Sequence, residues 1–330
     1  RAFAARQARA LEGMPEGLRN MPTLRVPLIP DSLTGVAALR RLTGNPAGAG
    51  LAVEPPPERL TLPGFEALVG ALIAGGPGVV MTMGKGGVGK TSLAIAIATA
   101  LARAGHAVHL TTTDPAADLL QALGAARPDG LTADVIDAAA ETRRYTAEVI
   151  ALAGDLDPEE RALLEEDLRS PCTEEIAVFR AFARRVAGAE RSYVVLDTAP
   201  TGHTLLLLDA AESYHREVAR TTAEVPQEVR ALLPRLRDPA YCRVLVVTLP
   251  ETTPVAEADR LQADLRRAGI EPFGWVVNAS LSAAGTRHPL LARRAGLELP
   301  QIQRVAGSLA RRCWLLPWRA PGEKSPRSQR

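Results

Sequence analysis

The sequence predicts an α/β fold in which helices wrap both faces of a doubly wound, mostly parallel sheet. Three observations carry that expectation. Short, apolar, β-branched runs recur at 79–83, 107–111, 192–196, 243–249, 273–277 and 313–316. Such runs suit strands buried on both faces by crossover helices. Stretches of helical periodicity lie between them at 90–103, 173–187 and 255–268, which is the alternation of βαβ units. A glycine-rich loop joins the first strand to the first of these helices.

Taken in chain order, residues 1–43 hold no strand–helix unit. The segment 12–30 faintly echoes 298–317. Each carries a proline near the start of a helical segment, then an apolar stretch ending in proline. As a repeat, this makes 1–43 the tail of a truncated preceding domain. Residues 44–58, GNPAGAGLAVEPPPE, have linker composition. The spacing of Phe65, Leu68, Val69, Leu72 and Ile73 predicts a helix over 64–74. The main domain is expected over 59–318. Residues 319–330 form a polar, proline-containing tail, either disordered or not the natural terminus.

Composition narrows the function classes. Apolar residues make up 46% of the chain, enough for a sizeable core, and the net charge is +2. No basic stripe interleaves with aromatics, which argues against a nucleic-acid partner. Cys172, Cys242 and Cys313 are widely spaced, so neither a disulfide framework nor a zinc knuckle is expected. The apolar stretch 93–102 is too short to cross a bilayer, and no signal peptide opens the chain. A soluble cytoplasmic protein is expected. The first residue is arginine, so the sequence reads as a fragment.

The 330 residues hold only three lysines, and Lys85 and Lys90 share one loop. Arginine supplies the rest of the positive charge, so lysine here marks a place where a compact ammonium is required. The loop runs Gly84, Lys85, Gly86, Gly87, Val88, Gly89, Lys90, Thr91, Ser92 and matches G-x-x-x-x-G-K-[ST] between a strand and a helix. Its glycines let backbone N–H groups approach phosphate oxygens, and the helix N-terminus adds partial positive charge. Lys90 would reach the β- and γ-phosphates of ATP, and Thr91 would bind Mg²⁺.

Asp197 ends the apolar strand 192–196 and is placed to sit near Mg²⁺. The Pro/Gly loop that follows it suits a conformational change when γ-phosphate leaves. Asp114 follows the strand 107–111. It is placed to orient an attacking water, to cap the helix that Pro115 opens, or both. Asp118 lies four residues on, on the same helix face, where it could hold a Mg²⁺-bound water. Asn278, at the end of the strand 273–277, offers a donor and an acceptor for an adenine edge, or forms a turn. Lys85 reads as a solvated charge at the loop tip.

The pattern G-K-G-G-V-G-K-T resembles the deviant Walker A sequence shared by the Min and Par ATPases and the nitrogenase iron protein, a group of P-loop NTPases. D-P-x-x-D at Asp114 to Asp118 resembles the corresponding segment of that iron protein. The resemblance implies that Lys85 reaches across a dimer face to the partner's nucleotide. A closer resemblance covers roughly residues 60–318. The segments DLRSPCTEEIAVF, DTAPTGHTLLLLDAAESYHREV, LVVTLPETTPVAEADRLQADLRRAGIEPFGWVVNASLS and ELPQI look like the second half of the arsenical pump-driving ATPase family.

That family pairs two homologous halves face to face. The resemblance implies one complete half here, with residues 1–43 closing the missing half. It implies a Mg²⁺-dependent ATPase, activated by As(III) or Sb(III), that drives a membrane efflux carrier and is held peripherally at the inner membrane through it. Ser170, Cys172 and His203 stand at positions the family associates with the metalloid site, and a soft thiolate suits that ion. Cys172 just before the helix 173–187 would be favoured as thiolate. Cys242 and Cys313 read as structural.

Three positions depart from the family pattern. Asp118 stands where His or Asn is more common, and Ala279 where a second Asn is common. The polar tail replaces a short apolar helix. Alternatives are a tail-anchored-protein targeting ATPase and a Min/Par-type positioning ATPase. The first uses a Met-rich groove and, in eukaryotic members, a C-x-x-C clasp. The second uses a membrane helix or a DNA-binding face. None of these is evident in the sequence.

Overall fold

All the expected apolar runs form strands, and one more joins them at the sheet edge. In chain order these are β1 (Gly78–Met83), β2 (Val108–Thr112), β3 (Leu131–Val135), β4 (Tyr193–Asp197), β5 (Cys242–Thr248), β6 (Gly274–Ser280) and β7 (Cys313–Pro317). They make one seven-stranded sheet, ordered β3-β2-β4-β1-β5-β6-β7. Every neighbouring pair is parallel. The computed structural model describes residues 2–24, 26, 28, 36, 40, 60–113, 119, 123, 127–154, 157–198 and 227–319, without the side chains of residues 2, 171 and 172. The linker 44–58 and nearly all of the tail 319–330 lie outside the described residues.

Each residue of β1, β4 and β5 is buried, as their largely apolar sequence favours, and the polar Thr82, Asp197, Arg243 and Thr248 are buried with the rest. Alternate residues of β1 feed opposite cores. Val79, Met81 and Met83 face one, where Phe179, Phe182, Leu261 and Leu265 pack. Val80 faces the other, with Leu68, Leu72, Leu93, Ile97 and Leu101. The second core is closed by α2 (Phe65–Ala74) and α3 (Lys90–Arg103); α1 (Ala2–Glu12) comes earlier in the chain. Leu93, Ile97 and Leu101 recur along one face of α3, and burying each contributes about 1.5–3 kcal/mol.

Helices α4 (Ala138–Ala153), α5 (Pro158–Asp167) and α6 (Pro171–Ala187) lie between β3 and β4 in sequence. Helix α7 (Thr252–Arg267) precedes β6; the short α8 (Leu281–Ala284) and α9 (Pro289–Arg304) precede β7. Helices α4 and α6 are joined side by side: Glu141 pairs with Arg184, and Glu148 with Arg180 at 3.0 Å, with the Arg180 guanidinium over the Tyr145 ring. Among the described residues no helix is long and apolar enough to cross a membrane.

Sequence periodicity misses β3, α4, α5 and α9. Helices α4 and α5 bury no side chain fully, so they have no apolar stripe to read. β3 is an edge strand buried only at Leu131. Charge clips it down instead: Asp134 lies 3.1 Å from His109 Nε2 and pairs with Arg185 of α6. Burial works to raise the Asp134 carboxyl, but the His109 hydrogen bond and the Arg185 charge outweigh it and hold it at about 2.

Two sequence expectations need correcting. The helix expected over 173–187 begins at Pro171, because Pro is well suited to the first helical position. Cys172 is therefore inside the first turn of α6, not before it. Among the described residues, the prolines of the two echoing segments, 12–30 and 298–317, sit differently in local structure. Pro15 precedes a single turn, Glu16–Arg19, whereas Pro300 falls inside α9. The segment before β1 does touch the main body, where Phe3 of α1 and Trp318 have ring centroids 5.5 Å apart.

Candidate functional site

In a parallel sheet with this order, the carboxyl ends of the central strands face one crevice. β1 leads into the glycine loop there. Gly84 is required at its start: a Cβ on it would lie 2.3 Å from the Val247 carbonyl oxygen of β5. Gly89 has φ +91°, and its Cβ would meet Asn278 Nδ2 at 2.4 Å. Helix α3 then starts at Lys90, with the loop's amides at its N-terminus.

Lys90 is 7% exposed, and its Nζ donates to the Lys85 carbonyl at 3.2 Å. The concavity of the loop thus carries an ammonium held from within. The Lys85 side chain is exposed at the loop tip.

Asp197 is fully buried. Register sets it between Thr82 of β1 and Thr112 of β2. The Thr91 hydroxyl donates to its Oδ2 at 2.7 Å, and Thr112 donates to the same oxygen at 3.2 Å. The Thr82 hydroxyl lies 3.4 Å from Oδ1. Three hydroxyl donors thus partner the buried carboxyl group. A hydroxyl and a carboxylate in contact form a hard oxygen pair, the donor chemistry that fits Mg²⁺. Sequence reasoning does not single out Thr112 and Thr82; the available signal is a threonine at or next to the carboxyl end of each of two apolar runs, the strands that flank β4.

The backbone N–H of Thr113 donates to the Asp197 carbonyl at 3.0 Å, which ties the segment entering Asp114 to the Asp197 strand. Asp114, Asp118 and His203 themselves lie outside the described residues. Ser170 caps α6 by position, and its hydroxyl is 3.1 Å from that of Thr173. The Cys172 side chain is outside the described residues. Burial pushes the Cys242 thiol up to about 12 and the Cys313 thiol up to about 11, which fits a structural reading of both.

Asn278 lies within β6, not in a free turn. Its Nδ2 donates to the Val88 carbonyl at 2.9 Å, so this amide braces the glycine loop. Its other amide atom is the acceptor left for a ligand. The next residue, Ala279, has φ +55°, the one non-glycine residue described with a left-handed backbone. The β6–β7 register shifts at this point. Left-handed backbone costs alanine about 1–2 kcal/mol, whereas Asn tolerates it. Ala279→Gly is expected to stabilise the fold by about 0.5–1 kcal/mol, the relieved strain less the extra entropy of unfolded glycine. Thermal unfolding checks this; an unchanged or lowered midpoint counts against strain at this residue.

The loop and Asn278 open onto a cavity of about 830 Å³, lined also by Thr252, Pro254, Ala279, Glu298 and Trp318. Apolar walls with a few convergent polar groups suit an organic ligand whose anionic end enters the glycine loop.

Comparison with known proteins gives the same direction. Residues 78–224 match the family described as Anion-transporting ATPase. The chain is 49% identical over 318 residues to the arsenical pump-driving ATPase of Escherichia coli, covering 96% of this chain and 54% of that protein. It is 50% identical to the arsenical pump-driving ATPase of Acidiphilium multivorum, with the same coverage of each. It is 27% identical to the ATPase GET3C of Arabidopsis thaliana, over 60% of this chain and 66% of that protein. The chain spans about half the length of the two bacterial relatives.

Proposed function

This chain belongs to the anion-transporting ATPase family, and on that premise we propose that it is a Mg²⁺-dependent ATPase half that couples ATP hydrolysis to metalloid extrusion. It works with a homologous half across the nucleotide interface and through a membrane efflux carrier. The carrier holds it at the cytoplasmic side of the inner membrane.

One observation carries the reading: Thr91 and Asp197 meet at 2.7 Å beside the buried Lys90, at the mouth of the glycine loop. Bound ATP and Mg²⁺ would supply the transferable phosphoryl group and neutralise charge on its oxygens. Thr91 and Asp197 hold the ion's place. Loop amides from Gly86 to Thr91 donate to phosphate oxygens, and Lys90 adds fixed positive charge. Asn278 braces the loop with its amide and offers its remaining oxygen toward an adenine edge. Asp114 orients the attacking water, and Asp118 holds a water of the ion. Lys85, exposed at the loop tip, reaches the nucleotide of the opposing half and offsets charge on its transferring phosphoryl group.

Cys172 serves as a thiolate ligand of an activating As(III) or Sb(III), with Ser170 and His203 beside it. Its place in the first turn of α6 supports this, since a helix N-terminus favours thiolate. The remaining ligands come from the other half.

In the two-half protein, arsenite is expected to stimulate phosphate release from ATP. Cys172→Ser should raise the arsenite needed for half-activation by at least about tenfold. Metalloid activation unchanged by that substitution would remove Cys172 from the site. Similarity to GET3C supports a second reading, targeting of tail-anchored proteins. Capture of an apolar C-terminal segment, with no metalloid stimulation, would favour it.

A further inference from the structure

We infer that Glu298 is a positioning residue for the nucleotide: its carboxylate locks the turn after β6 and, through it, the Asn278 amide that braces the glycine loop. The inference rests on the nucleotide-binding reading of that loop.

Glu298 sits in the interior of α9, yet its side chain is only 7% exposed. A buried carboxylate is costly unless its oxygens are fully partnered. Here they are. Oε1 accepts from the Leu281 N–H at 2.9 Å. Oε2 accepts from the Ser280 hydroxyl at 2.8 Å and the Ser282 N–H at 3.0 Å. Burial pushes its pKa up, while these same hydrogen bonds pull it down. Ser280 in turn accepts from the Ala283 N–H at 3.1 Å. One side chain from α9 thus ties every residue from Ser280 to Ser282.

The turn needs tying because of what precedes it. Ala279 is held at φ +55°, a conformation alanine leaves when it is free to do so. Relaxation at Ala279 would swing the adjacent Asn278. The Asn278 amide would then leave the Val88 carbonyl, 2.9 Å away, and its close packing on Gly89. The linkage runs from Glu298 through the strained residue to the backbone of the glycine loop, and all of these line one cavity. Only a carboxylate does this. Both its oxygens face N–H or O–H donors, and the NH₂ of glutamine would oppose one of them.

The test is the affinity of the full chain for a fluorescent ATP analogue, measured with thermal unfolding alongside. Glu298→Gln is expected to weaken binding by about tenfold in protein that remains folded. Adding Ala279→Gly, which removes the strain that Glu298 restrains, should recover most of that loss. A role confined to stability would leave the affinity of the folded protein unchanged and give no rescue. Wild-type affinity in Glu298→Gln overturns the inference, and so does a loss that Ala279→Gly fails to recover. Should Glu298→Gln not fold, Ser280→Ala removes one of the same donors and is read the same way. Absence of analogue binding in the wild-type chain would instead sink the nucleotide reading, and this inference with it.

Discussion

Lys90→Ala is expected to lower ATP hydrolysis at this site by about 10²–10³-fold. The side chain is 7% exposed and already turned into the loop, with its ammonium 3.2 Å from the Lys85 carbonyl. That charge is pre-positioned, so it costs no reorganisation when negative charge builds on the phosphoryl group. Alanine removes it and leaves the backbone cradle intact. Lys90→Arg is expected to fail nearly as badly, because a planar fork does not fit the space of a compact ammonium. Phosphate release at saturating Mg-ATP is the measurement, made with the proposed opposing half present and its own site inactivated. Activity within threefold or so of wild type would mean that Lys90 is not the phosphate-binding cation.

The second large effect is expected from Asp197→Asn, which should cut Mg²⁺-dependent turnover by about 10²–10³-fold and raise the Mg²⁺ needed. Asparagine keeps the shape and one acceptor oxygen, so the Thr91 contact at 2.7 Å and the flanking Thr112 can persist. What is lost is the charge that fits a hard divalent cation. Binding of ATP without Mg²⁺ should change little, which separates loss of the ion from loss of the fold. A normal Mg²⁺ dependence in the folded variant would remove Asp197 from the metal's surroundings.

Much of this fold and site is legible in the sequence. The apolar strands could be read because a parallel sheet buries both faces and leaves no polar alternation in β1, β4 or β5. Edge strand β3 could not be read, since only Leu131 is buried and its place depends on Asp134 meeting His109 and Arg185 from other elements. The glycine loop was legible because its function is local: backbone amides, one lysine and one threonine lie within a few residues. Asn278 was legible as a strand-end amide but ambiguous in role, and its contact with Val88 resolves part of that ambiguity. The left-handed backbone at Ala279 was not legible, because nothing in a lone alanine signals a positive φ.

By itself, the sequence determined the sheet class, the glycine loop between its first strand and helix, the aspartate that ends β4 and the family resemblance. Those depend on burial periodicity and on contacts between near neighbours in the chain. Only the tertiary structure decided who stands beside whom across the sheet: Thr82 and Thr112 around Asp197, Asn278 under Val88, and Glu298 beneath the turn after β6. Parallel strand register brings those partners together from distant parts of the chain. No periodicity records such a pairing, because each partner's sequence neighbourhood is satisfied without it.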